Sequence, residues 1–285
     1  MNYPKVFVII LNYNGKDILL NCLNSVYQLD YSNFEVVVVD NNSTDSSFEE
    51  ARKKFSKAHF IKNNKNLGFS AGNNIAIRWA LEKMADYVFL LNNDALIEKS
   101  SLKKMINIAE RDSKARIFSP IIYNGKSKDV WFDGGNIDWL KMRTTHNTCN
   151  AKCITSRATS YVTGCAMLIK KEVFKKIGLF DEDYFLYYED ADFSWRARKA
   201  GLSLKIIPEA KVYHFEKSSE NPNKMYWLVY SGLLFFKKNA PIYWRPWIFI
   251  YTFLRKAKNK KNLKNKEKYS VDIKKAFEDF KNFGK

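Results

Sequence analysis

Side chains able to do chemistry gather at a few places in this 285-residue chain. Asn12-Tyr13-Asn14-Gly15 follows the apolar run 5–11. Asp40-Asn41-Asn42-Ser43-Thr44-Asp45 follows the run 34–39, and Asn92-Asn93-Asp94 follows 87–91. Amides and carboxylates at such ends suit hydrogen bonds to a polar ligand, or ligation of a hard cation. Helix capping or a turn explains one such end. Three at a shared edge point to a convergent pocket. Glu189-Asp190-x-Asp192 is the most acidic cluster in a basic protein. A carboxylate near a helix start holds its charge and suits general-base work. Asp192 lies about 200° from Asp190 around a helix, so it faces elsewhere, where Arg196 at i, i+4 is its natural partner. His146, Cys149 and Cys153 have a spacing that lacks a clear fourth zinc ligand. No positioned partner supports a nucleophilic cysteine.

The elements that must position these groups follow from periodicity. Runs 5–11, 34–39 and 87–91 are apolar throughout, as strands buried on both faces are. Residues 16–28, 43–57 and 70–83 show helical spacing or cap residues, and 59–61 is a short strand. Strand and helix therefore alternate in an α/β chain with a parallel sheet covered on both faces. Ligands bind such sheets at the carboxyl ends of the strands. Further on, 117–122, 161–169, 205–207 and 211–214 read as strands, and 171–177 and 190–200 as helices. Gly134-Gly135-Asn136 reads as a loop or hairpin. A boundary is expected near 216–223, giving a domain over 1–220 and a helical, aromatic and basic segment over 221–285.

Taken in order, these motifs resemble glycosyltransferase family 2, the inverting nucleotide-sugar transferases of GT-A fold, in its bacterial rhamnosyltransferase-like branch. The resemblance covers roughly residues 5–215. It rests on the three strand ends, Asn66-Leu67-Gly68-Phe69-Ser70-Ala71-Gly72-Asn73, Thr163-Gly164-Cys165-Ala166, Tyr188-Glu189-Asp190-Ala191-Asp192 with Arg196, and His214. It implies a GT-A (Rossmann-like), mostly parallel central sheet. Nucleotide would lie on Asn12, Tyr13, Asn14, Asp40, Asn42, Asn66, Gly68, Asn73, Asn92 and Asn93. Asn92-Asn93-Asp94 stands where the family has Asp-x-Asp, so one carboxylate remains. Asp94 is the implied ligand of a divalent cation, Mn²⁺ or Mg²⁺, and His214 completes the site. Imidazole favours Mn²⁺. Asp190 is the implied base and Glu189 the runner-up. Gly164, Cys165, Asp192 and Arg196 are placed toward sugar and acceptor, Arg196 also suiting a leaving diphosphate. Trp131, Phe132, Trp139, Tyr184, Phe185, Tyr187 and Tyr188 are candidates for stacking on sugars.

The resemblance thus implies transfer from a UDP- or dTDP-sugar to a hydroxyl of a cell-surface glycan or lipid-linked glycan precursor. A nucleotidyltransferase would need a Gly-rich basic loop after the first strand, which Asn12–Gly15 is not. A sugar- or membrane-binding scaffold without catalysis is the other rival, given the thin Asn-Asn-Asp motif.

Composition bounds the partners. Lys plus Arg number 48 against 30 acidic residues, a formal charge of +18. Aromatics at 15% and hydrophobics at 46% exclude a disordered chain. Residues 251–285 hold 12 basic and 4 acidic residues, a net of +8. Aromatic-rich runs precede them, each too short to span a bilayer. Segment 225–268 therefore suits an anionic membrane surface, although an aromatic helix serves a homodimer as readily. Nucleic acid is disfavoured, since no nucleic-acid-binding signature appears. Four cysteines and no signal-peptide pattern lead us to expect a cytoplasmic protein, peripheral on the cytoplasmic face of the membrane.

Overall fold

In a computed structural model the described residues are 3–148, 156–216 and 221–283. The strands are β1 (Val6–Asn12), β2 (Phe34–Asp40), β3 (His59–Lys62), β4 (Tyr87–Leu91), β5 (Ala95–Ile97), β6 (Ala115–Asn124), β7 (Val130–Phe132), β8 (Gly135–Asp138), β9 (Arg143–His146), β10 (Arg157–Ala158), β11 (Ala166–Lys170) and β12 (Ser203–His214). The helices are α1 (Lys16–Val26), α2 (Ser47–Lys54), α3 (Gly68–Glu82), α4 (Ser101–Arg111), α5 (Lys171–Ile177), α6 (Glu189–Lys199), α7 (Lys224–Asn239), α8 (Arg245–Lys264) and α9 (Ser270–Asn282).

The central sheet runs β10-β12-β6-β11-β4-β1-β2-β3. β3, β2, β1 and β4 are mutually parallel, while β11 pairs antiparallel to β4 and β6. Val6 to Ile10 are all fully buried. Successive strand residues point to opposite faces, so this unbroken burial means that both faces are covered. The chain reverses its winding at β1, whose neighbours are β2 on one side and β4 on the other. That is the switch point at which open sheets present a ligand crevice. Asn12 and Asp40 end β1 and β2 in the same register, and Asn92 follows β4 directly.

Several expected elements change. Helix α2 starts four residues late, at Ser47 rather than 43. Ser43 donates its N–H to Asp40 Oδ2, and Ser47 N–H is capped by Asp45 Oδ1. Helix α4 was not anticipated, although Leu102, Met105, Ile106 and Ala109 form its buried stripe. The strand expected over 161–169 is ordered as strand only from Ala166. Before it, Val162 N–H is taken by Ser194 Oγ and Gly164 N–H by Asp190, so those amides are unavailable for sheet pairing. The strands expected at 205–207 and 211–214 are one strand, β12, irregular between Ile207 and Lys211 where Pro208 interrupts.

The largest change concerns the segment after 220. Helix α7 does not stand apart. Leu233, Leu234, Phe235 and Phe236 are at most 2% exposed. Phe236 packs on Trp139 and Tyr188, and Asn239 Nδ2 donates to Asp192 Oδ1 at 2.8 Å. On packing, α7 is therefore part of the body built around the central sheet. Among the described residues, no helix is long and apolar enough to cross a membrane.

Candidate active site

The floor of the crevice is an amide and carboxylate network. Asn12 Nδ2 donates to Asp40 Oδ1 at 2.9 Å and to Ser47 Oγ at 2.9 Å. Asn93 Nδ2 donates to Asn12 Oδ1 at 3.0 Å, which joins the ends of β1, β2 and β4. Gly15 lies so close that a Cβ there would collide with Asn12 and Asn93 side chains. Asn41 Nδ2 donates to Gly68 O and to Asn66 Oδ1, tying β2 to the start of α3. Gly68 has a φ of +78° and lies against the Phe185 carbonyl, where a side chain would not fit.

The expected nucleotide residues thus divide. Asp40 is fully buried, with both oxygens engaged by Asn12 and Ser43, so it shapes the crevice from below. Asn73 is buried and donates to the Phe69 carbonyl, one turn back on its own helix. Asn66 Oδ1 also accepts from Gly68 N–H. Tyr13, Asn14 and Asn42 are exposed at the rim, where a ligand can reach them.

Beside this floor opens a cavity of about 400 Å³. It brings together Asn92, Asp94, Gly164, Cys165, Glu189, Asp190 and His214, which the sequence scatters over more than 120 positions. Backbone pairing explains the convergence. β12 runs antiparallel to β5, which sets His214 opposite Ala95, and Phe215 N–H donates to Asp94 O at 2.8 Å. Asn92 N–H donates to Cys165 O at 2.9 Å.

His214 Nε2 lies 3.1 Å from Asp94 Oδ1. Burial works against a charged ring, but the Cys165 sulfur and the Asp94 carboxylate outweigh it and raise His214. Burial also raises the Cys165 thiol. His214 Nδ1 is buried and lacks a hydrogen-bond partner among the described residues. Asp94 and His214 together suit a divalent cation: a hard carboxylate oxygen beside an imidazole, both lining the cavity. No group of three or more such ligands occurs among the described residues.

Asp190 is fixed from two sides. Gly164 N–H donates to Oδ2 at 3.0 Å, and Ala191 N–H donates to Oδ1 at 2.7 Å. Burial raises its pKa, while these N–H groups and nearby His146 restrain the rise. Glu189 is pushed well above the ordinary carboxylate range, first by burial and then by the Asp190 charge. Its Oε2 has no hydrogen-bond partner among the described residues. Both carboxyls start α6, directly after Tyr187 and Tyr188, whose φ values of 67° and 66° are left-handed. Such residues cost about 1–3 kcal/mol each and persist only where neighbours dictate them. The neighbours here are α3 and α7. Phe69 N–H binds Phe185 O at 2.7 Å, Ser231 Oγ binds Leu186 O at 2.7 Å, and Trp227 stacks on Phe185 at 4.5 Å.

Two expected residues are elsewhere. Arg196 Nε binds Asp192 Oδ2 at 2.7 Å, and its other nitrogens donate to the Ile177 and Leu179 carbonyls. Neither Asp192 nor Arg196 lines the cavity. They brace α6 against the loop after α5, and Arg196 is not available to a diphosphate. Of the aromatic candidates, Trp131, Tyr187 and Tyr188 line the cavity, and Phe132, Trp139, Tyr184 and Phe185 pack behind it. Trp131 stands edge-on between His146 and His214, with centroids 4.7 and 4.6 Å away, and donates Nε1–H to Glu216 at 3.1 Å. Thr144, Tyr161, Lys224 and Leu228 were not anticipated. They come from the hairpin side and from α7, whose placement no local pattern encodes. His146, weighed above for zinc, faces the cavity, and Cys149 and Cys153 lie outside the described residues.

Comparison with known proteins agrees with this geometry. Residues 7–178 match glycosyl transferase family 2. The chain is 27% identical over 245 residues to the dTDP-rhamnosyl transferase RfbF of Shigella flexneri, covering 82% of this chain and 80% of that protein. It is 26% identical over 207 residues to the N-acetylglucosaminyl-diphospho-decaprenol L-rhamnosyltransferase of Mycobacterium tuberculosis, covering 65% and 67%. The structure of GalNAc-T7 with UDP, GalNAc and Mn²⁺ superposes with a TM-score of 0.63 at 16% identity, covering 74% of this chain and 43% of that one. S. aureus TarS 1–349 in complex with UDP superposes at 0.56 with 18% identity, covering 83% and 67%. These likenesses identify the fold as GT-A. With more than half its length matched, the chain belongs to glycosyl transferase family 2 and is a glycosyltransferase similar to bacterial rhamnosyltransferases.

Proposed function

We propose that the protein is a metal-dependent, inverting hexosyltransferase that uses a UDP- or dTDP-sugar and glycosylates a hydroxyl of a cell-surface glycan or lipid-linked glycan precursor. The supporting observation is one cavity holding both the Asp94–His214 pair and the buried Glu189–Asp190 carboxyls, beside the Asn12–Asp40–Asn93 floor. The nucleotide lies over that floor and meets Tyr13, Asn14 and Asn42 at its rim. Asp94 and His214 hold a divalent cation, which supplies positive charge to the leaving diphosphate. Asp190 takes the proton from the acceptor hydroxyl. The acceptor oxygen bonds to the anomeric carbon on the face opposite the diphosphate, and the carbon–oxygen bond to the diphosphate breaks. The Gly164 and Ala191 N–H groups hold the Asp190 carboxylate in line for this. Neutral Glu189 and the Trp131 edge shape the sugar and acceptor side.

Attachment to an anionic membrane surface belongs to α8 and not to α7. Phe249, Phe253 and Leu254 are 77%, 66% and 53% exposed on α8. Lys256, Lys260 and Lys264 continue the helical face of Phe249 and Phe253. Aromatics ahead of lysines suit the interface of the anionic cytoplasmic leaflet.

A thermal-shift screen of nucleotide sugars with Mn²⁺ or Mg²⁺ tests the catalytic reading. A true donor at 100 times its Kd stabilises the fold by about 2.7 kcal/mol. UDP- or dTDP-sugars should raise the melting temperature only when metal is present. No shift with any nucleotide sugar would overturn the reading.

A further inference from the structure

A second cavity, of about 450 Å³, lies between α7, α8 and α9. Leu233 and Phe236 of α7, Ile248 of α8 and Phe280 of α9 form apolar walls. Among the described residues, the charged side chains lining it are Lys237 and Arg245, and no carboxylate lines it. Lys237 Nζ sits 5.3 Å above the Phe280 ring, at the apolar wall, and Arg245 is exposed at the start of α8. Phe249 lines this groove and is also 77% exposed, so the groove opens onto the aromatic and basic face of α8. On its inner side Phe236 touches Tyr188, which lines the catalytic cavity.

We propose that this groove takes the hydrocarbon chain of an anionic membrane lipid, with the lipid phosphate on Arg245 and Lys237. The inference rests on the membrane attachment argued above and names its ligand. Apolar walls select a chain, and cations unopposed by any lining carboxylate select an anionic headgroup. Continuity with the exposed α8 face gives the chain a path from the bilayer. A lipid seated here fixes α7 at the membrane, and α7 also supplies Lys224 and Leu228 to the catalytic cavity.

The test titrates dodecyl phosphate, below its micelle-forming concentration, into the full chain by calorimetry. Inorganic phosphate and dodecyltrimethylammonium run in parallel. One dodecyl phosphate should bind per chain saturably, and the two controls should not bind. Thr252→Trp, which puts a bulky ring on a lining position, and Arg245→Glu, which reverses an exposed charge, should each weaken binding by about tenfold or more. Thr252→Trp should still sediment with phosphatidylglycerol vesicles, because the outward face of α8 is untouched. Equal affinity in Arg245→Glu, equal binding of the cationic amphiphile, or a stable dimer by light scattering that binds no dodecyl phosphate would overturn the proposal. Saturable dodecyl phosphate binding without any vesicle sedimentation would support the groove and overturn the membrane attachment alone.

Discussion

Replacing Asp190 with Asn separates chemistry from architecture. The carboxylate accepts one backbone N–H on each oxygen, from Gly164 at 3.0 Å and Ala191 at 2.7 Å. An Asn side chain has one carbonyl oxygen and one NH₂ group. Whichever way it turns, one of the two N–H donors faces another donor, which costs about 1–3 kcal/mol at a buried site. Removing a buried charge beside Glu189 offsets part of that, because burial and mutual repulsion already disfavour two ionised carboxyls there. Folding should therefore lose no more than about 3 kcal/mol. Loss of the proton acceptor should lower kcat by about 10²–10⁴, or about 3–5 kcal/mol in the barrier. Donor binding should survive, since Asp190 lies apart from the Asn12–Asp40 floor. The measurement is steady-state transfer across pH together with donor-induced thermal shift. In the wild type kcat should rise with pH as the raised Asp190 carboxyl ionises, and the variant should lose that limb. A variant that folds, binds donor and turns over within about threefold of wild type would refute Asp190 as the base.

Three other outcomes are expected. Gly15→Ala forces a methyl into the Asn12–Asn93 contact, so it should cost about 1–3 kcal/mol and raise the KM for donor more than it lowers kcat; denaturant melts and donor kinetics check this. Glu189 keeps its proton in the folded state at pH values where the unfolded chain has lost it, so its contribution to stability declines as pH rises above the ordinary 4.5 toward the raised folded value. Glu189→Gln should flatten that decline in urea melts at pH 5 and pH 8, and an unchanged slope would count against a buried, neutral Glu189. Phe249→Ser with Phe253→Ser should release the protein from phosphatidylglycerol vesicles while leaving the melting temperature nearly unchanged, because both rings are exposed; sedimentation and a thermal melt decide.

Local pattern made the first half of the fold legible. Unbroken apolar strands and short polar ends read directly as a covered parallel sheet, and Asn12, Asp40 and Asn92–Asp94 do meet at its switch point. What those residues do there was less legible. Asp40, which the resemblance places against the nucleotide, is fully buried, and Asn12 and Ser43 engage both its oxygens. A sequence does not record which polar groups are already paired. The same holds for Arg196, whose partners Ile177 O and Leu179 O lie at the end of α5 and just after it, where no spacing rule connects them to it.

Helix α7 shows where periodicity stops being informative. A helix that is apolar on most sides belongs either to a protein core or to a lipid environment, and its pattern alone does not choose. Two small residues supplied a signal. Ser231 places a hydroxyl in an apolar helix, and buried hydroxyls are found where a partner waits, here Leu186 O. Gly232, beside it, leaves room for the Tyr188 ring, whose atoms lie 3.2–3.3 Å from where a Cβ would stand. Small polar and glycine positions at the centre of an aromatic helix argue for close packing on protein, because a lipid-facing surface has no use for either. α8 has the opposite signature: large exposed rings and lysines, with Asn259 its buried residue. The positive charge that the composition announced is thus kept at the surface of this segment. It lies exposed on α8 and at Lys237 and Arg245 of the groove, and the buried centre carries the acidic pair Glu189 and Asp190. On the proposed reading, a divalent cation at Asp94 and His214 would supply there the positive charge that a diphosphate needs.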